Sequence, residues 1–174
     1  MDTSYKLLDS NEHSRIRQLI LKRGITSLER NSQAALYLAE ISHENRQDVE
    51  ALAYLLRALR LGAEIPQPAE TISVYQRAAE TTPTEILKES YDGCLALAKE
   101  FFCLKNEENG IFYLSFAADD EEADKYGVAA RLLADHLSSS ISQHEKQRHY
   151  EKLAARKGNP DLLPVLRGAR SAAS

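Results

Sequence analysis

The sequence has few residues of the types that cross-link a chain, break helices or span a membrane. Its 174 residues include no tryptophan, one methionine, two cysteines, seven glycines and five prolines. Two cysteines cannot form a disulfide framework, and no stretch approaches the roughly 18 apolar residues of a membrane span. The N-terminal stretch has no basic start followed by an apolar run. We therefore predict no secretory signal and expect a cytoplasmic protein.

Acidic residues slightly outnumber basic ones, and the formal net charge is −4. This balance offers no general attraction for nucleic acid or anionic lipid, so we expect neither as a partner. The charge is uneven, because residues 105–125 carry seven acids and two lysines, whereas residues 144–174 carry seven Lys and Arg and three acids. Such stretches are typical of solvated helix faces, and the alternative is a surface that steers a polar ligand.

The composition favours helices over sheets. Hydrophobic residues make up 43% of the chain, and alanine and leucine, both good helix formers, dominate them. Helical periodicity occurs nearly everywhere, and no convincing alternating strand is visible. Glycines, prolines and capping patterns divide the chain into eight or nine short helices. The clearest predicted start is at Thr82-Pro83-Thr84-Glu85, with Thr82 as the cap, and Thr26-x-x-Glu29 predicts another capping box.

Paired alanines recur at a nearly constant period. Their spacings are 39 and 37 residues, and the pairs are Ala78-Ala79, Ala117-Ala118 and Ala154-Ala155. Upstream of each pair, a shared helical pattern has a leucine at its fifth position: Leu55, Leu97 and Leu133. Positions 1, 5 and 9 of this pattern form one helical stripe that can be buried against a second helix. We therefore predict a two-helix unit repeated three times, stabilised by stacking; the alternative is chance similarity in an Ala- and Leu-rich chain.

The predicted fold is all-α, a right-handed α-solenoid of antiparallel helix pairs in one domain. Repeat 1 is predicted at 46–81, repeat 2 at 82–120 and repeat 3 at 121–157. Residues 1–45 are expected to form an N-terminal cap or a degenerate repeat. Residues 158–174 are expected to form a C-terminal cap and tail.

Two segments, ALAYLLRALRLG (51–62) and AARKGNPD (154–161), resemble the Sel1-like repeat family, a relative of the tetratricopeptide repeats. The family pattern looks like A-x3-L-G-x2-Y-x2-G, then a turn, then an aromatic pair shortly before A-A-x-x-G. The sequence departs from it where Leu56, Ala98 and Ala134 stand at the first glycine and where the usual tryptophan is missing. A degenerate tetratricopeptide repeat stays open, although that unit has about 34 residues. The resemblance implies a helical solenoid that binds other proteins.

No motif predicts catalysis, a cofactor or a metal. The sequence has no G-x-S-x-G, no phosphate-binding glycine loop and no G-x-G-x-x-G. His144 and His149 lie about 140° apart around a helix, so we interpret them as surface residues. The acidic run 119–124 lacks a correctly placed glycine for a calcium loop, and we interpret it as acids at a helix start. Cys94 is predicted to lie in the core and Cys103 to be partly exposed.

Helix-pair solenoids present a concave groove lined by the first helix of each pair. Position 7 of the shared pattern is charged in all three units, and nearby residues are expected to face outward as well. The candidate groove residues are Tyr54, Arg57, Arg60, Lys99, Glu100, Arg131 and Asp135. Arg57 and Lys99 would contact acidic groups of a bound peptide or helix, and Tyr54 would supply flat apolar area. The alternative is that these residues only keep the surface soluble.

We therefore expect a non-catalytic adaptor or scaffold that binds another protein or peptide. A dedicated inhibitor or chaperone of one protein, such as an immunity protein or a secretion chaperone, is the alternative within the same class. An enzyme of unrecognised chemistry is a second class. Self-association into a homodimer through the end caps is a third. No cofactor is expected in any of the binding roles.

Overall fold

The computed structural model describes residues 6–28, 30–138 and 143–158, and all secondary structure in these ranges is helical. The all-α prediction is therefore confirmed. None of the helices in these ranges combines the length and apolar character that crossing a bilayer requires. The α-helices are α1 (Ser10–Arg23), α2 (Ser32–Glu44), α3 (Asp48–Arg60), α4 (Pro68–Glu80), α5 (Thr84–Lys88), α6 (Tyr91–Cys103), α7 (Glu107–Asp119), α8 (Val128–Leu137) and α9 (His144–Arg156).

The chain divides into two compact units, Met1–Pro83 (unit 1) and Thr84–Ser174 (unit 2). In unit 1, α2 packs against α1 and α3, and α3 packs against α4. In unit 2, α5 packs against α6 and α7, and the pairs α6–α7, α7–α8 and α8–α9 are in contact. Apart from α5, which also packs against α7, the helices pack mainly against their neighbours in the chain, as short connections between helices favour.

The three leucines of the predicted repeat are all in the interior. Leu55, Leu97 and Leu133 are each 0% exposed. Each lies on a helix that contacts both the preceding and the following helix, namely α3, α6 and α8. Burial of a leucine side chain contributes about 1.5–3 kcal/mol, so these positions are major contributors to the two cores. The paired alanines also occupy matching places, immediately before the last residue of α4, α7 and α9.

Two helical hairpins, α2–α3 and α6–α7, share one turn geometry that the repeat alignment missed. Each joins two 13-residue helices through three residues, the middle one left-handed: Arg46 at φ 58° and Lys105 at φ 61°. The turn hydrogen bonds also correspond, because the Gln47 amide donates to the Ser42 carbonyl at 2.8 Å and the Asn106 amide to the Phe101 carbonyl at 2.9 Å. The range 1–45, predicted to be a cap or a degenerate repeat, contains the first helix of a hairpin, and α3 packs more extensively against α2 than against α4.

Two predicted helix starts are wrong. Thr82 does not cap α5, because its hydroxyl donates to the Ala78 carbonyl at 3.2 Å and so closes the end of α4. Thr26–Leu28 forms a short 3₁₀ helix. The cap of α2 is instead Asn31, whose side chain accepts hydrogen bonds from two amides of the first turn. Nearly all of the predicted C-terminal cap and tail lies outside the described residues.

Candidate functional site

Three of the predicted groove residues lie on α3 in unit 1. Tyr54 and Arg57 are half-buried and Arg60 is exposed. The Arg57 guanidinium carbon lies 5.4 Å from the centroid of the Tyr54 ring, a cation–π distance that contributes about 0.5–1 kcal/mol at exposed sites. The structure thus brings a flat aromatic side chain and a positive charge together, one turn apart on the helix.

The other four predicted residues lie in unit 2. Lys99 is exposed on α6. On α8, the Arg131 Nε atom is 3.2 Å from a carboxylate oxygen of Asp135, an i,i+4 pair of the kind that contributes about 0.3–0.5 kcal/mol. The set is therefore spread over two units, and a groove formed by the predicted residues other than Glu100 stays a prediction.

Glu100 does not face outward, so that prediction is wrong. The residue is only 4% exposed. The reason is helical geometry, because residue 100 lies seven positions after the buried Gly93 and three after the buried Leu97. Those spacings place it on the same stripe of α6.

A cleft of about 320 Å³ opens between α7, α8 and α9 in unit 2. Leu133 and Leu137 are buried side chains at its base, and residues of α9 form an exposed, charged edge. The residues that line it are Ile111, Ser115, Leu133, Leu137, Glu145, Lys146, His149 and Tyr150. Sequence reasoning assigned none of them to binding, although His149 was interpreted as a surface residue and is exposed.

Tyr150 provides a neutral polar group on the wall of this cleft. Burial raises the pKa of its phenol, and the nearby charge of Asp119 acts in the same direction. The ring of His149 meets the Tyr150 ring edge-on, with centroids 4.9 Å apart. The cleft therefore combines an apolar base, an uncharged hydroxyl and a charged edge.

Chemistry that needs a clustered metal site has no support in the described residues. No group of three or more His, Cys, Asp or Glu side chains in these ranges could hold a metal ion. Cys94 is buried and Cys103 is exposed, as predicted, and neither forms a disulfide.

Asp124 and Lys157 form a buried ion pair in unit 2, close to helices that line the cleft. Asp124 accepts hydrogen bonds from the Ala129 and Ala130 amides at the start of α8, at 2.9 and 3.2 Å. It also accepts one from the Tyr91 hydroxyl at 2.9 Å and lies 3.3 Å from the Lys157 ammonium. The acid thus stabilises a helix start, as the sequence indicated, and it additionally links the start of α6 to the residue after α9.

Comparisons with protein-family models, with curated proteins and with solved structures give no match to this chain. The likeness to Sel1-like repeats therefore depends on the sequence segments alone. What the protein does has to be inferred from its surfaces.

Proposed function

We propose that the protein is a non-catalytic binding module that receives a segment of a partner protein in the cleft between α7, α8 and α9. The observation that supports this proposal is the combination of an apolar base with a charged edge in one open cleft. In the same proposal, the helix pairs stack as a right-handed Sel1-like solenoid, and the protein acts in the cytoplasm.

The base of the cleft suits an apolar side chain. Ile111 is half-buried, and Leu133 and Leu137 lie beneath it at the cleft. Insertion of a valine-, leucine- or phenylalanine-sized side chain into such a site contributes about 1.5–3 kcal/mol. Residues that fill pockets in this way dominate the affinity of most protein interfaces.

The edge of the cleft suits a partner of mixed charge. Glu145 and Lys146 carry opposite charges and are exposed next to each other, and His149 follows one turn later on α9. Exposed charges of this kind determine association rate and specificity more than affinity. The expected ligand is therefore an apolar anchor residue flanked by charged residues.

Helix α7 also has exposed aromatic surface, which supports a role in protein binding. Phe112 is 50% exposed and meets the Phe116 ring edge-on, with centroids 5.3 Å apart. Aromatic residues are enriched at protein interfaces relative to the rest of the surface. Helix α7 therefore carries apolar area both inside and outside the cleft.

Affinity capture from the native host tests the proposal with matched baits. Lys146→Glu changes a charge at the edge of the cleft, Ile111→Trp fills the cleft, and Arg148→Glu changes an exposed charge on the same helix outside it. A partner held in the cleft is lost with the first two variants and retained with the third, each variant being checked for helix content by circular dichroism. If no captured protein distinguishes Lys146→Glu and Ile111→Trp from Arg148→Glu, binding in this cleft is rejected.

A fourth bait tests the groove predicted from sequence. The double variant Arg57→Glu, Lys99→Glu is compared with the wild type at two salt concentrations. Loss of the same partner would place the contact on the predicted groove residues instead of the cleft. The number of captured proteins separates the two binding roles, since an adaptor should capture several proteins and a dedicated inhibitor or chaperone should capture one.

A further inference from the structure

A second cleft, of about 280 Å³, lies in unit 1 beside α1 and α2. Its lining is mostly polar, in contrast to the cleft of unit 2. The lining residues are Lys6, Leu8, Asp9, Ser10, His13, Ser14, Glu40 and Glu44. A single water needs only about 10–15 Å³, so the cleft has room for a larger group.

Glu40 is the unusual residue of this cleft. It is only 8% exposed, and its Oε2 atom is buried without a hydrogen-bond partner among the described residues. The Nε2 atom of His13 lies 4.0 Å from that oxygen, beyond hydrogen-bond distance. A buried carboxylate oxygen without a donor costs free energy that a bound donor would recover.

The surroundings of Glu40 favour a positively charged donor. Two further carboxylates, Asp9 and Glu44, line the cleft against the Lys6 ammonium and the His13 imidazole. Asp9 is also the N-cap of α1, where its carboxylate accepts from the Glu12 amide at 2.8 Å in a capping box.

A second buried oxygen without a hydrogen-bond partner in the described ranges lies in unit 1, on Tyr75, which does not line the cleft. The hydroxyl of Tyr75 is buried and has no hydrogen-bond partner among the residues that the structure describes. Burial raises the pKa of this phenol above its ordinary range, and the charges of Glu40 and Glu44 raise it further. The Tyr75 ring stacks on His43, with centroids 4.5 Å apart.

We propose that the cleft of unit 1 binds a primary ammonium group, of a free alkylamine or of a lysine side chain, with the Glu40 carboxylate as its main partner. An ammonium is a compact charge with three donors, which matches one orphaned oxygen flanked by further carboxylates. A guanidinium is less suited, because it favours a two-oxygen, planar contact. A metal ion is disfavoured by the lack of a three-ligand cluster in the described ranges. This inference does not depend on the function proposed for the cleft of unit 2.

Nuclear magnetic resonance titration with three probes tests the proposal. The probes are n-butylammonium, N-acetyl-lysine methylamide and the same lysine compound acetylated on its side-chain nitrogen. We expect saturable shifts of the Glu40 and His13 amide signals with the first two probes and none with the neutral third. Equal affinity for the first two identifies a site for any alkylamine, and tighter binding of the lysine compound identifies a lysine side chain of a peptide.

Two variants make the test specific. Glu40→Gln preserves the shape of the side chain and should weaken binding of both charged probes about tenfold or more. Glu70→Gln removes an exposed acid of α4 outside the cleft and should leave the affinity unchanged. Equal binding of the acetylated probe, unchanged affinity of the Glu40→Gln variant, or the lack of any saturable shift would each overturn the proposal. None of these outcomes affects the capture of a partner protein in the cleft of unit 2. Each of the two proposals can therefore be rejected without rejecting the other.

Discussion

Replacing Asp124 by asparagine should destabilise unit 2 by several kcal/mol. The Asp124 side chain is 0% exposed and that of Lys157 is 4% exposed. The Lys157 ammonium donates to the Ala118 carbonyl at 2.6 Å and to the Asp120 carbonyl at 3.3 Å. Its only neutralising partner among the described residues is Asp124, so the amide variant leaves a buried cation without a counter-charge.

The size of the effect follows from what each variant leaves unpaired. Removing one member of a buried pair costs about 3–5 kcal/mol, and we expect Asp124→Asn to lie in that range. Lys157→Met should cost less, because the carboxylate retains the Ala129 and Ala130 amides and the Tyr91 hydroxyl as donors. Burial and the neighbouring Asp124 raise the pKa of the Tyr91 phenol, so this donor keeps its proton. The double variant should cost about 1–3 kcal/mol less than the sum of the single variants.

Urea unfolding followed by circular dichroism measures the free energies, and hydrogen exchange of the Ala129 and Ala130 amides assigns the loss to the start of α8. Exchange is needed because two units need not unfold in one transition. Glu122→Gln, in the same acidic run but exposed, is the control and should change stability by no more than about 0.5 kcal/mol. A cost below about 1 kcal/mol for Asp124→Asn, or strict additivity in the double variant, would refute the role assigned to this pair.

The remaining predictions concern strained turns, a close backbone approach and a buried acid. Arg46 and Lys105 have positive φ angles, 58° and 61°, which glycine adopts without the strain of a side chain. Arg46→Gly and Lys105→Gly should therefore each raise the free energy of unfolding by about 0.5–1 kcal/mol, measured in urea melts. Gly127→Ala should cost about 2 kcal/mol or more, since a Cβ at φ 70° would lie 2.8 Å from a backbone oxygen of α9; Gly158→Ala, at φ 86° in open space, should cost only about 1 kcal/mol. Burial raises the pKa of Glu40, so its protonated form stabilises the fold at low pH and that stability is lost as pH rises through the raised pKa. Glu40→Gln should therefore be more stable than the wild type at neutral pH, with the difference vanishing in acid, and melts at both pH values check this.

Much of the fold could be predicted because helix formation and core burial leave a short-range pattern in the sequence. Apolar residues four positions apart, Leu97 and Phe101 in α6 and Leu133 and Leu137 in α8, define the buried stripe of each helix regardless of which helix packs against it. The α2–α3 hairpin was missed for a physical reason as well. Its turn has Arg46 at the left-handed position where a glycine or asparagine usually marks a helix end, and the same holds for Lys105 in α6–α7.

The candidate sites were harder to predict, because they depend on which helices meet. Glu100 is an exception, since its burial follows from its spacing to Leu97 within one helix. The partner of Asp124 is 33 residues away at Lys157, and no local pattern connects them. The cleft of unit 2 likewise combines residues of three helices. Within the sequence of any one of these helices, the lining residues look like ordinary core or surface positions.

The internal repetition of the chain can be aligned in two ways, and the choice affects the predicted groove. One alignment matches α3 with α6 and α8, as the leucine pattern suggests. The other matches the α2–α3 hairpin with α6–α7, an offset of 59 residues that superimposes both helix ranges. It also aligns identical residues: Leu38 with Leu97, Ala39 with Ala98, Tyr54 with Tyr113, Leu55 with Leu114 and Ala58 with Ala117.

The turn geometry favours the hairpin alignment, because a shared left-handed residue and matching turn hydrogen bonds are not required by composition. In that alignment Arg57 corresponds to Phe116 and not to Lys99, so a continuous row of charges along equivalent helices is not expected. The two alignments differ in a measurable way. If Arg57 and Lys99 contact one ligand from equivalent positions, Arg57→Glu and Lys99→Glu should each weaken binding of the same partner. Loss from only one of the two would favour the hairpin as the repeating element.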